Sequence, residues 1–450
     1  MTINRALVDS ALAAATDTRH LTVEPGALAS VGAAYASIFG ARPAVVVADL
    51  TTWEVAGRQV DERLRAAGVS VAAPVVLPQP LHADYENVLE LQEELSDDVL
   101  TPVAVGSGTV NDLTKFAAHR LGRPYMVVAT AASMDGYAAF GASITRDGFK
   151  QTMACAAPAA VLADLDIVAA APTPLTAAGY GDLIGKVPAG ADWLLADALE
   201  IEPVDAGAWA MVQHPLRASL SAPERLRDHD PDATGAFFLG LVMSGLAMQA
   251  TQSSRPASGA EHLISHLWEM TGLTHDDQSP SHGAKVGVGS VMVTLLYERL
   301  LGHDLTKIDI DACIAALPPA RMVEQQVRAS LPAGEIADRA VAESLAKHPT
   351  ANALRSRLLL LRERWPSLRE RMSAQLLPSG DLRQMLGTLG GATSPGDFGV
   401  SAAKLGADLA RARLIRRRYT VLDLAAEVGL LDGLCADVAA ATYQPAELGR

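Results

Sequence analysis

The sequence predicts an α/β domain over residues 1–178 followed by an all-α domain over 179–450. Three observations lead there. Between about residues 40 and 170, short apolar runs rich in Val and Ala alternate with amphipathic segments, the pattern of parallel strands buried on both faces and separated by helices. After about residue 180 the strand signals stop and Ala/Leu-rich segments with helical spacing take over. The chain has 450 residues, 49% of them hydrophobic, enough for two domains with large cores.

In chain order the expected strands are Ala44–Ala48, Val69–Leu77, Val103–Val105, Tyr125–Ala129 and Ala159–Ala163, with helices over Thr52–Ala67 and Tyr85–Glu94. A boundary is expected near Thr176–Asp182 (TAAGYGD), and an α/β layer beside a helical one leaves a cleft in which ligands usually bind. The helices expected beyond it are Ala191–Glu200, Ala233–Ala250, Gly259–Met270, Gly283–Leu301, Glu335–Lys347, Asn352–Leu376 and Val421–Leu431. Ala233–Ala250 is uncharged over almost the length that spans a bilayer. Its Thr234, Ser244 and Gln249, with no aromatic or basic belt beside it, make it a core helix.

Composition excludes several classes of function. With 37 basic and 51 acidic residues the net charge is −14, which disfavours nucleic acid and anionic membrane surfaces as partners. Cys155, Cys313 and Cys435 are odd in number and far apart, so no disulfide framework is expected. The N-terminal MTINRALVDSALAAATDTRH lacks the features of a secretory signal, and a cytoplasmic location is expected. The run Ile415–Arg418 is read as a solvated helix face.

Chemistry concentrates at a few turns. Gly106-Ser107-Gly108-Thr109-Val110-Asn111-Asp112 follows one expected strand and opens a helix, where glycines let backbone approach a pyrophosphate and the helix N-terminus supplies N–H donors. Thr130-Ala131-Ala132-Ser133-Met134-Asp135-Gly136 follows the next strand in the same way. Gly106, Ser107, Gly108, Thr109, Asp112, Thr130 and Ser133 are therefore the candidate cofactor contacts. The glycine spacing is not G-x-G-x-x-G, and Asp49, the candidate ribose acid, precedes the glycines, so an ordinary Rossmann fingerprint is disfavoured. Asp49 ends AVVVAD, where its carboxylate would accept from ribose hydroxyls and repel a 2′-phosphate. NAD(H) is thus the expected cofactor, with NADP(H) possible through Thr51 and Thr52.

Asp182, in GYGDLIGK, is read at a helix entrance; His262 lies in SGAEH and His282 in SHGAKV. One carboxylate and two imidazoles from three helices suit Zn²⁺, Ni²⁺ or Fe²⁺ with positions left open for a substrate oxygen. His266, four residues after His262, lies on the same helical face, and spacing alone leaves an Asp182/His262/His266 set equally open. A phosphate on the substrate would need cationic partners, for which Lys186 and Arg255 are the leading candidates and Lys150 and Lys285 the lesser ones.

In order, these segments resemble the iron-containing alcohol dehydrogenase and dehydroquinate synthase superfamily, and within it the sn-glycerol-1-phosphate dehydrogenases. The matching stretches are GSGTVNDLTK (106–115), TAASMDGYA (130–138), GFKQT (148–152), GYGDLIGKVPAGADW (179–193), SSRPASGAEHLISHLWE (253–269) and SHGAKV (281–286). The likeness runs from about residue 20 to 300 and more weakly to Asp432. It implies a dehydroquinate synthase-like fold, an NAD(P)-binding first domain and one divalent metal held by Asp182, His262 and His282. Asp135 and His266 then become pocket residues beside the substrate. Ala132 stands where TAPSMDGY would have Pro.

The implied reaction interconverts dihydroxyacetone phosphate and sn-glycerol 1-phosphate by hydride transfer at C2, with Lys186 acting beside the metal. Two alternatives remain: reduction of another small phosphorylated or phosphonylated ketone on the same fold, and, as a different class of reaction, a lyase reaction like that of dehydroquinate synthase, which net accumulation of NADH would separate from a dehydrogenase. The expected assembly is a homo-oligomer, a dimer.

Overall fold

The computed structural model describes residues 5–97, 99–146 and 149–443. Gly148 of the GFKQT stretch lies outside them, as does the side chain of Lys150. The strands are β1 (His20–Glu24), β2 (Ala44–Asp49), β3 (Val75–Leu77), β4 (Thr101–Gly106), β5 (Met126–Ala129), β6 (Ala142–Arg146), β7 (Phe149–Met153) and β8 (Ala160–Asp164). Six form one sheet in the order β1-β8-β5-β4-β2-β3, every pair parallel. All residues of β4, β5 and β8 are buried, as are the first five of β2. That is why these strands read as unbroken apolar runs rather than alternating ones.

Two strand expectations change. Only Val75–Leu77 of the run Val69–Leu77 forms a strand, and Val71 makes a single bridge to Ala44; Pro74, between them, has no N–H to give the ladder. The antiparallel pair β6–β7 and the edge strand β1 were not expected. The helix expected from Thr52 starts at Leu50, because Asp49 and Thr52 form a reciprocal capping box there.

The chain order along the sheet reverses between β2 and β4. From β2 the chain moves outward to β3, then returns to the other side of β2 and continues through β4, β5 and β8. Ligands of open parallel sheets bind beyond the carboxyl ends of strands at such a reversal. Asp49 ends β2 and Gly106 ends β4, so both candidate turns flank that point.

The chain forms two compact units that do not follow chain order. One comprises Met1–Leu183, Ala206–Ser254 and Thr388–Gly390; the other comprises Ile184–Asp205, Arg255–Gly387 and Gly391–Arg450. The apolar helix Pro231–Thr251 therefore belongs with the sheet, whereas composition placed it beyond the 178/179 boundary. Most of it is buried, and Gln249 lies in the core, accepting from Asp17 N and Thr18 N and donating to the Ala138 carbonyl.

The second unit is helical, and its organising group is Asp192. This fully buried carboxylate accepts from Ala260 N at 2.7 Å, Tyr297 Oη at 2.6 Å and Val421 N at 2.7 Å. It thereby ties the helices Lys186–Ala198, Ala260–Met270, His282–Leu300 and Val421–Glu427 together. Burial, followed by the neighbouring Glu261, raises its carboxyl to about 7.

Candidate metal and cofactor sites

In the first unit, Ser107 and Gly108 open the 13-residue helix Gly108–Arg120 directly from β4, and no side-chain hydrogen bond caps it. Its first N–H groups have no intrahelical partners, which suits an anionic cofactor. Ser107, Gly108 and Thr109 are partly exposed there. Gly106 serves packing, since a Cβ on it would sit 2.6 Å from Val110 Cβ. Gly108 and Gly136 face the Met134 sulfur, which a Cβ would approach to 3.0 and 3.1 Å.

Asp112 is engaged by protein groups. Its Oδ1 accepts from Asn111 Nδ2 at 3.1 Å and its Oδ2 from Ser143 N at 3.1 Å, with Lys115 Nζ 3.8 Å away. It therefore joins the helix to β6. Lys115, which sequence reasoning missed, is completely buried and donates to the carbonyls of Gly136, Ala139 and Gly141 at 2.7, 3.0 and 3.1 Å. Asp49 has one oxygen committed to Thr52 N at 2.7 Å.

The turn Thr130–Gly136 is gripped by two glycines. A Cβ on Gly179 would lie 2.0 Å from the Ala132 carbonyl oxygen, and one on Gly245 would lie 3.0 Å from the Asp135 carbonyl oxygen. Thr130 is buried, and Ser133 Oγ lies 3.3 Å from Tyr137 Oη. Asp135 donates its N–H to Asp182 Oδ2 at 2.9 Å and accepts from Ser244 Oγ at 3.0 Å. Asp182 is buried in the last turn of the helix Thr173–Ile184, so it is not at the helix entrance that GYGD suggested.

The three histidines cluster in the second unit. His262 is the third residue of Ala260–Met270, and His282 is the first of His282–Leu300, where Ser281 Oγ caps Ala284 N at 3.2 Å. Ring centroids lie 5.5 Å apart for His262 and His282, 5.6 Å for His266 and His282 and 6.1 Å for His262 and His266.

Each Nδ1 meets a carboxylate: Glu261 Oε1 at 2.8 Å for His262, Glu269 Oε1 at 2.9 Å for His282 and Glu269 Oε2 at 3.2 Å for His266. An imidazole that donates through Nδ1 carries its lone pair on Nε2, the arrangement that orients metal-ligating histidines. The residues thus fit a divalent metal. His266, Glu269 and His282 also place donor atoms within 4.8 Å of one another. Glu269 already receives Lys285 Nζ at 3.1 Å, which makes it an orienting carboxylate. Burial, then Arg416, lowers His266 to about 3, so it stays neutral.

Two cationic expectations are corrected. Arg255 is fully buried and spends its guanidinium on protein: Nη1 donates to the Tyr419 carbonyl at 3.1 Å, Nη2 to the Asp192 carbonyl at 2.6 Å, and Nε lies 3.3 Å from Glu202. It braces the loop before His262 and has no fork left for phosphate. The run Ile415–Arg418 is not a solvated helix face. The helix before it ends at Ala412, Arg417 pairs with Glu343, and Arg418 donates to the Ser258 carbonyl at 2.7 Å, bracing the same loop. Burial lowers Arg418 to about 9. Lys186 is fully buried at the start of Lys186–Ala198.

Comparison with known proteins gives a consistent result. Residues 22–172 match the iron-containing alcohol dehydrogenase family. The chain is similar to a glycerol-1-phosphate dehydrogenase [NAD(P)+] of Halalkalibacterium halodurans, 30% identical over 380 residues that cover 84% of each chain. It is also similar to proteins of the same name from Bacillus subtilis (34%, covering 65% of this chain and 73% of that one) and Methanosarcina barkeri (34%, covering 62% and 76%). Among solved structures, a probable glycerol dehydrogenase from Sinorhizobium meliloti superposes with a TM-score of 0.59 at 16% identity, covering 94% of this chain and 98% of that one. A sulfoacetaldehyde reductase from Bifidobacterium kashiwanohense, in complex with NAD+, does so with 0.58 at 14% identity, covering 94% and 98%. These two likenesses speak for the fold alone.

Proposed function

Because the chain belongs to the glycerol-1-phosphate dehydrogenase family of iron-containing alcohol dehydrogenases, we propose that it is the NAD(P)-dependent enzyme interconverting dihydroxyacetone phosphate and sn-glycerol 1-phosphate. The observation that carries this is the 380-residue match to a relative of that name, spanning 84% of the chain. Asp182, His262 and His282 are the proposed metal ligands. The two Nδ1–carboxylate contacts and the fixing of Asp182 Oδ2 by Asp135 N support them.

When bound, the nicotinamide would supply the hydride and the metal Lewis acidity at the C2 oxygen. The protein's own part is placement. Glu261 and Glu269 fix the tautomers of His262 and His282, while Arg255, Arg418 and Asp192 hold the loop and helix that carry His262. The N-terminus of Gly108–Arg120 receives the cofactor pyrophosphate, and Asp49 receives the ribose hydroxyls through its second oxygen. Lys186 is the proposed partner of the substrate phosphate. NAD(H) as the preferred cofactor, Zn²⁺ as the ion with Ni²⁺ or Fe²⁺ as substitutes, and a cytoplasmic homodimer belong to the same proposal.

Elemental analysis of purified variants tests the ligand set. Asp182→Ala, His262→Ala and His282→Ala should each lose most bound metal and activity while His266→Ala keeps its metal. Full occupancy in His282→Ala with none in His266→Ala would reassign the site.

A further inference from the structure

Beyond residue 300 the second unit contains a cavity of about 310 Å³ that shares no residue with the histidine cluster. Its size falls at the lower end of the roughly 300–1,000 Å³ typical of small-molecule sites. Most of the wall is apolar, built from Ala316, Leu317, Val323, Leu354, Leu414 and Val428. An apolar wall alone would accept any greasy body of the right volume, so the polar groups decide the class of ligand.

Most of these polar groups are already satisfied. Lys347 Nζ donates to the Arg413 carbonyl at 2.6 Å and the Arg418 carbonyl at 3.2 Å, and it pairs with Asp423 Oδ1 at 2.7 Å. Glu427 is held by Arg357 and by Tyr419 Oη. Ser344 Oγ donates to the Leu414 carbonyl at 2.6 Å. The exception is Arg413. Its Nε is buried without a hydrogen-bond partner among the described residues, and its Nη1 reaches Asp423 only at 4.0 Å. Nε is closed even to a water-sized atom, so an acceptor in the cavity would meet the Nη groups, whose ion pair with Asp423 is long.

Charge points the same way. Lys347 sits closer to Asp423 than Arg413 does, and Glu427 is held by Arg357 from outside the lining, which leaves Arg413 as the more weakly paired cation of the lining. A guanidinium edge matches a carboxylate in plane, and the apolar wall matches a hydrocarbon body better than it matches a small hydrated anion.

We propose that this cavity is a binding site for a small organic monocarboxylate, its carboxylate accepting from the Arg413 Nη groups and its apolar body packed against Val323, Leu354 and Leu414. Titration calorimetry of the full chain with benzoate tests it, with inorganic phosphate as the comparison anion. The expected result is saturable one-to-one binding of benzoate and none of phosphate. Arg413→Met, which keeps the apolar stem, should weaken benzoate about ten- to a hundredfold, the loss of one charge-assisted hydrogen bond. Ala426→Phe, which projects a ring from the wall helix Val421–Glu427, should abolish binding without lowering Tm. If that variant proves unstable, Arg413→Met alone decides the matter. Absence of saturation by benzoate in the unmodified protein, equal affinity in Arg413→Met, or saturation by phosphate in place of benzoate would each overturn the proposal.

Discussion

Gly179 and Ala132 are in closer contact than any other residue could permit at position 179: a Cβ there would fall 2.0 Å from the Ala132 carbonyl oxygen. Three residues along from each partner, Asp182 and Asp135 share a hydrogen bond. The glycine contact and the carboxylate contact thus belong to one seam between the helix Thr173–Ile184 and the turn after β5. Gly179→Ala must push that seam apart. Overpacking of this kind costs about 1–3 kcal/mol, so the variant should lose several degrees of Tm and most of its metal affinity. Thermal unfolding and metal analysis on the same sample check this; unchanged values for both would remove the seam from the account.

Glu269 serves His266, His282 and Lys285 together. Glu269→Gln removes the carboxylate that pairs with the buried Lys285 ammonium and the acceptor that orients His282. Metal affinity should fall about 10- to 100-fold, the usual effect of losing a carboxylate behind a ligating histidine. Stability of the metal-free protein should fall by about 3 kcal/mol. Competition with a chelator and denaturant unfolding separate the two effects.

Arg255 and Lys186 should part company in kinetics. Arg255 has its guanidinium committed to backbone and Glu202, so Arg255→Lys should lower Tm and leave the preference for a phosphorylated over an unphosphorylated ketone intact. Lys186→Met should instead reduce that preference about 10- to 100-fold, one charge-assisted contact. The ratio of kcat/KM for the two ketones is the measurement.

Asp49, the proposed source of cofactor choice through repulsion, also caps its helix. Asp49→Asn keeps the cap, since Asn caps as well as Asp, and removes the charge. It should raise kcat/KM for NADPH relative to NADH without shifting Tm. Equal efficiency with both cofactors in the unmodified enzyme would deny the repulsion.

Glu427 makes stability depend on pH in a defined direction. Burial raises its carboxyl from 4.5 to about 7, so between those values the folded chain binds the proton that the unfolded chain has released. Stability from this group is therefore complete below about 4.5, falls as pH rises towards 7 and levels off above. The stability of Glu427→Gln relative to the unmodified protein should accordingly improve across that window and stay constant beyond it, as denaturant unfolding at several pH values would show.

The central strands were legible because burial on both faces leaves a one-dimensional signal, Val after Val. The edge strand His20–Glu24 carries no such run, since none of its residues is fully buried, and the pair β6–β7 includes polar and charged residues that interrupt it. The proposed metal ligands were legible as candidates because short, ordered motifs carry them. Their supports were not: Glu269 acts on His282 from 13 positions away, Arg418 on Ser258 from 160 and Asp192 on Val421 from 229. Arg255 looked like a phosphate ligand because its motif shows charge and nearness to SGAEH; only folding reveals the carbonyls that consume it. Asp182 looked like a residue at a helix entrance because GYGD resembles a turn, whereas the helix runs through it from Thr173.

The most direct test of the account is the kcat/KM for NADH-dependent reduction of dihydroxyacetone phosphate and of dihydroxyacetone by the zinc-saturated enzyme, with the product assayed by an sn-glycerol-3-phosphate-specific enzyme. The account predicts an advantage of about 10- to 100-fold for the phosphorylated ketone, carried by Lys186, and a product that the coupling enzyme does not consume. Equal efficiency on the two ketones, or a product that the coupling enzyme oxidises, would contradict it.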